Sequence, residues 1–131
     1  MAADESYPDD LLYHPEHDWA RLEGGEAQLG ITWFALESLG ELVYFEPPQL
    51  GQVLEKDGSY GEVESVKAVS ELVAPLSGTV LEVNAAAVAD PASVNGDPYG
   101  AGWLVRILLR DPTEADALLD AAGYRELLAS Q

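Results

Sequence analysis

Short apolar stretches separated by glycine, proline and other turn residues recur along most of the chain. The first two, residues 18–22 and 26–31, lie on either side of Gly24-Gly25, which suits a tight hairpin because both glycines tolerate a positive φ. Further strands are predicted over residues 41–46, 51–55, 60–66, 68–74, 78–83 and 103–109. Many short strands with frequent turns are typical of a β-sandwich or a β-barrel.

Helical periodicity occurs in two segments. Thr32 can cap a short helix near residues 32–39. Thr113 can cap a second helix with an acidic first turn, where the positive end of the helix dipole favours acids. We expect that helix to be interrupted at Gly123 and to resume over residues 124–129. The sequence therefore predicts a mainly β fold with one short helix and a C-terminal helix.

Length and charge narrow the class of protein. The chain has 131 residues, so we expect a single domain over residues 1–131, with a flexible start over residues 1–10. Six basic and 24 acidic side chains give a net charge of −18, which disfavours binding to nucleic acid and to anionic membranes. No segment resembles a targeting signal or a membrane span, so we expect a cytoplasmic protein. The chain has no cysteine and therefore no thiol of its own.

One internal repeat is visible. Residues 51–55 (GQVLE) and 78–82 (GTVLE) match at four of five positions. Two such strands can form a pseudo-two-fold pair, and the chain between them would then form a hairpin whose tip is near Lys67. Chance similarity of common residue types is the alternative explanation.

Lys67 is one of only two lysines and lies among β-forming residues with small or acidic neighbours. A lysine at a strand turn usually serves solubility or protects a sheet edge. A lysine that another enzyme modifies needs the same long stem, held out on a rigid tip where a second active site can reach it. Both interpretations fit this residue in isolation.

The segment around this lysine, Glu64-Ser65-Val66-Lys67-Ala68, resembles the lipoyl-lysine motif of glycine cleavage system H proteins. Further segments resemble the same family in the same order, and the resemblance extends from about residue 12 to residue 128. These segments are residues 13–19, 30–41, 74–84 and 94–103.

The resemblance implies a lipoyl/biotinyl-type barrel-sandwich hybrid and a carrier protein that is not an enzyme. Lipoate would be amide-linked to Lys67 by lipoylating enzymes and act as a swinging arm in glycine catabolism and one-carbon metabolism. The implied partners are a pyridoxal-phosphate glycine decarboxylase, a tetrahydrofolate-dependent aminomethyltransferase and a dihydrolipoamide dehydrogenase. The carbon chemistry belongs to the cofactor and to these enzymes.

The resemblance also implies residues that hold the arm against the protein. Asp18 and Glu71 are the carboxylates expected to bind the ammonium of the loaded arm at the docking surface. Phe34 stands where many family members have a histidine, so no polar contribution to docking is expected there; an aromatic wall for the arm and a packed surface helix both stay open. We expect no metal site, because His14 and His17 have no cysteine or third histidine to complete one.

Several alternatives stay open at this stage. An H-like protein that relays lipoyl groups to other acceptors would carry the same motifs. A lipoyl domain of a 2-oxoacid dehydrogenase would share the core but belong to a longer chain. A biotinyl carrier would present its lysine between methionines, whereas Val66 and Ala68 flank Lys67 here. From another class, the chain could be an unmodified interaction module.

Overall fold

The computed structural model describes residues 7–131, in which two antiparallel sheets enclose the core. The strands are β1 (Leu12–Tyr13), β2 (Asp18–Glu23), β3 (Glu26–Ile31), β4 (Leu42–Glu46), β5 (Val53–Leu54), β6 (Ser59–Ser65), β7 (Val69–Val73), β8 (Gly78–Val83) and β9 (Val105–Leu109). The helices are α1 (Trp33–Leu39), α2 (Ala85–Ala89), α3 (Ala92–Gly96) and α4 (Ala121–Ala129), with a 3-10 helix over Pro112–Ala117.

The larger sheet has the strand order β1-β2-β3-β9-β8-β5, and the smaller one has the order β4-β6-β7. Buried aliphatic and aromatic side chains of both sheets form one core cluster, among them Leu29, Ile107, Phe45, Val63 and Leu72. The prediction of a mainly β fold with a short helix and a C-terminal helix is confirmed. Thr32 caps α1 as expected, since its hydroxyl oxygen accepts a hydrogen bond from the Ala35 backbone N–H at 3.3 Å.

The two repeated segments pair with each other. In the β5–β8 ladder, Val53 lies opposite Thr79 and Leu54 lies opposite Gly78. The Val80 backbone also accepts from Gly51 and donates to Gln52, both at 2.9 Å. The numbers of the paired strand residues average 66, so the chain between the copies folds back next to Lys67, as the repeat predicted.

A second, aromatic cluster attaches the C-terminal helix to the larger sheet. The rings of Tyr13 and Tyr124 stack at 4.8 Å, and Tyr7 lies edge-on to Tyr124 at 5.4 Å. The flexible start was expected over residues 1–10. Residues 1–6 lie outside the described part of the chain, whereas Tyr7 is buried in this cluster.

The structure corrects the expected helix at Thr113. Asp111, not Thr113, caps the turn, which is a 3-10 helix, and its carboxylate accepts from the Thr113 N–H at 3.0 Å. The chain then extends, because the Leu119 backbone exchanges two hydrogen bonds with Tyr13, at 2.7 and 2.8 Å. Helix α4 begins after Asp120, which accepts from the N–H of Gly123, so this glycine lies in the first turn rather than at an interruption.

Helices α2 and α3 were not predicted, because the alanine-rich stretch after β8 has no amphipathic stripe. Asn84 supplies the local signal that was missed, since its side-chain oxygen accepts from the Ala86 N–H at 3.1 Å and caps α2. The predicted strand at residues 51–55 is shorter in the structure, where β5 spans two residues.

The contact between Gly30 and Trp19 gives a test of this packing. A Cβ at residue 30 would lie 2.5 Å from two ring carbons of the buried Trp19, whose indole N–H donates to the Pro98 carbonyl at 3.1 Å. Gly30→Ala should lower the free energy of unfolding by about 2–3 kcal/mol in urea denaturation. Gly25→Ala is the matched control, because a Cβ there meets nothing within 4 Å. Equal losses for both variants would contradict the packing argument.

Candidate functional site

Lys67 occupies the tip of the β6–β7 hairpin. The ladder runs through the pair Glu64 and Val69, and the Ser65 N–H donates to the Ala68 carbonyl at 2.9 Å. Val66 and Lys67 therefore form a two-residue turn, and both are exposed. The structure places the lysine at the end of a rigid, hydrogen-bonded ladder.

Ser65 holds this turn together. Its hydroxyl oxygen accepts from the Lys67 backbone N–H at 3.4 Å, and its O–H points to the Ala68 carbonyl at 3.5 Å. The Ser65 side chain faces inward, with 7% of the residue exposed, whereas Val66 beside it is 91% exposed. Ser65 thus supports the turn from within, and Val66 and Lys67 are the residues that a second protein can reach.

Lys67 differs from the other basic residues in the contacts of its side chain. Within residues 7–131, each of the other basic side chains is held by a carboxylate or a carbonyl, whereas Lys67 makes no side-chain hydrogen bond or ion pair. The held side chains are Arg21, Lys56, Arg106, Arg110 and Arg125. Of the basic side chains in residues 7–131, the one left without a partner is therefore the one at the hairpin tip, in a chain with 24 acids.

A groove of about 310 Å³ opens next to this tip, between α1 and the start of β7. Phe34 and Leu39 of α1 line one side, and Ala68 and Val69 line the other. Glu16 is the carboxylate among the lining residues. The groove therefore combines an apolar floor with one negative charge, within reach of a flexible group attached at the turn.

His17 forms the end of the groove and is held from both sides. Its ring lies 4.6 Å from the ring of Phe34, and its Nδ1 is hydrogen-bonded to the Tyr124 hydroxyl at 2.6 Å. That hydroxyl also lies 2.9 Å from the hydroxyl of Thr32, the cap of α1. Burial lowers the pKa of the His17 imidazole, so the ring is neutral near pH 7. The C-terminal helix thus positions a groove residue.

Asp18, which we expected to contact the loaded arm, is buried. The residue is 1% exposed and lies beneath the small sheet. Its carboxylate accepts from the Val73 N–H at 3.3 Å and from the Tyr60 hydroxyl at 3.5 Å. Loss of hydration raises the pKa of this carboxyl well above its ordinary value, although both hydrogen bonds oppose the shift.

The remaining acids of the predicted site lie on the hairpin itself. Glu71 is exposed, pairs across the ladder with Glu62 and does not line the groove. Glu64 lies between Tyr44 of β4 and Val69 of β7 and is partly exposed. Of the three expected docking residues, the structure brings only Phe34 into the groove.

The two histidines are engaged in contacts within the protein. The Nε2 of His14 lies 2.6 Å from a carboxylate oxygen of Asp57, and its Nδ1 accepts from the Glu16 backbone N–H. Among residues 7–131, no cluster of three histidine or acidic side chains could hold a metal ion. In the same part of the chain, no helix is long and apolar enough to span a membrane.

Comparisons with known proteins identify the family to which this chain belongs. The family model of the glycine cleavage H-protein matches residues 11–131. The chain belongs to the glycine cleavage H-protein family. It is 48% identical over 124 residues to the glycine cleavage system H protein of Myxococcus xanthus (strain DK1622), covering 95% of this chain and 96% of that protein. The H protein of Symbiobacterium thermophilum is 49% identical over 117 residues, covering 89% and 91%.

A solved structure agrees with these relatives. The crystal structure of a glycine cleavage system H protein from Mycobacterium marinum matches with a TM-score of 0.86 at 41% identity, covering 93% of this chain and 98% of that one. The comparisons confirm the prediction of a lipoyl carrier of the glycine cleavage system that is not itself an enzyme. Membership in that system implies several enzyme partners.

Sequence reasoning missed Glu16 and His17 as groove residues. Both lie in the segment of residues 13–19 that resembles the family, but only their neighbour Asp18 was singled out. Strand alternation gives no signal that separates them, because Glu16 and His17 precede β2 and Asp18, Trp19 and Ala20 are all buried in succession.

The buried carboxyl of Asp18 predicts a pH dependence of stability. The pKa of this carboxyl in the folded protein lies above its unfolded value of about 3.9, so the protonated carboxyl favours folding. This contribution to stability is fully present below the unfolded pKa and is lost as pH rises through the folded pKa. Asp18→Asn should therefore gain stability relative to the unsubstituted protein as pH rises, by up to about 1.4 kcal/mol per pH unit. Urea denaturation over a pH series measures this difference.

Glu71→Gln is the control, because this exposed side chain keeps its water in the folded state. A constant offset between Asp18→Asn and the unsubstituted protein at every pH would show that burial does not act on this carboxyl.

Proposed function

We propose that Lys67 is the attachment site of lipoate and that the groove beside it receives the loaded arm. The observation that carries the proposal is the free amine of Lys67 at a two-residue turn held by Ser65. An exposed amine on a rigid tip fits an amide-linked arm, and the adjacent groove of about 310 Å³ fits an extended chain. When bound, lipoate supplies a disulfide that accepts the aminomethyl group of glycine and is later restored by thiol–disulfide exchange.

Different residues of the groove contact different parts of the loaded arm. Phe34, Leu39 and Val69 give apolar contact to the arm and exclude water from the hydrolysable aminomethyl group. Glu16 supplies the charge-assisted hydrogen bond to the ammonium, in the role that the resemblance assigned to Asp18 and Glu71. Asp18 anchors the far end of β7, whose first residues line the groove, by accepting a hydrogen bond from the Val73 N–H.

The proposed partners are the glycine decarboxylase, the aminomethyltransferase, the dihydrolipoamide dehydrogenase and the lipoylating enzymes. Tethering raises the local concentration of the cargo at each successive active site. The net charge of −18 favours partners with basic entrances and an association that weakens as salt is added.

The two lysines of the chain provide a matched test of the attachment site. Lys67→Arg keeps the positive charge but removes the primary amine, so it should abolish the lipoyl mass increment when the protein is incubated with a lipoylating enzyme. Lys56→Arg should be modified like the unsubstituted protein, because Lys56 is bound to Asp57 at 3.3 Å. Intact-protein mass spectrometry measures both. A lipoyl increment on Lys67→Arg, or a biotin increment on the unsubstituted protein, would reject the proposal.

Neutralising Glu16 tests the assignment of the ammonium contact. Glu16→Gln should speed hydrolysis of the aminomethyl-loaded carrier roughly two- to fivefold, because an exposed ion pair contributes up to about 1 kcal/mol. Release of formaldehyde or ammonia from the isolated loaded protein measures the rate. Glu71→Gln removes the same charge outside the groove and should leave the rate unchanged; the reverse result would return the role to Glu71.

A further inference from the structure

A second cavity, of about 470 Å³, lies on the other side of α1, between this helix and α3. Trp33, Leu36 and Ala92 form its apolar wall, and Glu37 and Glu41 contribute two carboxylates. Phe34 and Leu39 of the same helix line the arm groove. Helix α1 thus lines both the arm groove and a second cavity that has no part in the proposed carrier function.

The polar groups of the cavity wall are of two kinds. Asn95 is engaged within the fold, since its side-chain oxygen accepts from the Leu42 N–H at 2.9 Å and its amide donates to the Gly40 carbonyl at 3.0 Å. Glu37 and Glu41 make no side-chain hydrogen bond or ion pair with any of residues 7–131. The groups left to bind a ligand are therefore these two carboxylates, which lie beside an aromatic and aliphatic wall. The complementary ligand is a cation on an apolar stem.

Each of the other two tryptophans has an arginine over its ring. The Arg21 guanidinium lies over the Trp19 ring at 5.3 Å, and that of Arg106 lies over Trp103 at 5.5 Å. Arg106 also pairs with carboxylates, at 3.2 and 3.3 Å. In the described part of the chain no cation lies over Trp33. Every described arginine is held elsewhere, so none of them supplies a cation to this cavity.

We propose that the cavity between α1 and α3 binds an arginine side chain of a partner enzyme that docks beside the arm groove. A planar guanidinium can stack on Trp33 and donate to both carboxylates, which a lysine ammonium cannot do with the same geometry. The position beyond α1 would bring that enzyme next to the arm at Lys67. The identity of the partner as a glycine cleavage enzyme rests on the proposed function.

The first test measures affinity for each of the three glycine cleavage enzymes by calorimetry, using the lipoylated full chain. Glu37→Gln/Glu41→Gln should raise the dissociation constant for at least one enzyme roughly tenfold. Asp116→Asn/Glu126→Gln makes the same change in net charge at exposed positions away from the cavity and should change it less than about twofold. Equal losses in both double variants, or no loss in either, would overturn the proposal.

Two measurements keep this outcome separate from failure of the carrier function. Both double variants should be lipoylated on Lys67 and reoxidised by dihydrolipoamide dehydrogenase in the presence of excess enzyme. If the unsubstituted chain itself is not lipoylated, the proposed function fails, and the cavity is then judged by the ligand experiment alone.

That experiment uses N-acetyl-arginine amide as the probe and follows the indole N–H of Trp33 by NMR. The arginine derivative should shift this resonance, and Glu37→Gln/Glu41→Gln should abolish the shift. The citrulline derivative is neutral and of similar shape, so it should leave the resonance in place. An equal shift with citrulline, or no shift with arginine, would overturn the proposal.

Discussion

The antiparallel register between β6 and β7 decides which two residues form the turn at the end of the hairpin. Val63 and Leu72 keep that register, because both are buried and a slip by one residue would turn the core face of either strand toward water. Each buried side chain of this size contributes about 1.5–3 kcal/mol. The position of the Lys67 amine is therefore set by core packing below it, and Ser65 needs only to close the last turn.

Lys67 also differs from the other basic residues in its charge environment. The other basic side chains of the described chain are engaged with acids or carbonyls, so the exposed charges that remain unpaired are mostly carboxylates. A free amine on such a surface is easily distinguished by a modifying enzyme. Beside it, the groove is held by a chain of contacts from Phe34 through His17 and Tyr124 to Thr32. Tip and groove are thus fixed by different parts of the fold and meet at the start of β7.

The sequence predicted the structural elements that depend mainly on interactions between nearby residues. The hairpin of β2 and β3 and the cap of α1 at Thr32 follow from residues close together in sequence, whereas the hairpin at Lys67 was predicted from the repeat at residues 51–55 and 78–82. The C-terminal region could not be predicted in the same way, because the backbone of Leu119 pairs with Tyr13 and breaks the expected helix. Burial of Asp18 depends on β7 and Tyr60, which lie more than 40 residues further along the chain. The groove around Glu16 and His17 likewise exists only once α1 and β7 are assembled.

The most direct measurement is the rate of lipoylation after Val66 and Lys67 exchange places. The variant Val66→Lys/Lys67→Val keeps the composition, the net charge and an exposed lysine in the same two-residue turn. If the ladder positions the amine for a modifying active site, the exchange should slow lipoylation by about 100-fold, since displacement of a reacting group by about 1 Å has an effect of that size. Lipoylation of the exchanged variant at the rate of the unsubstituted protein would contradict the account.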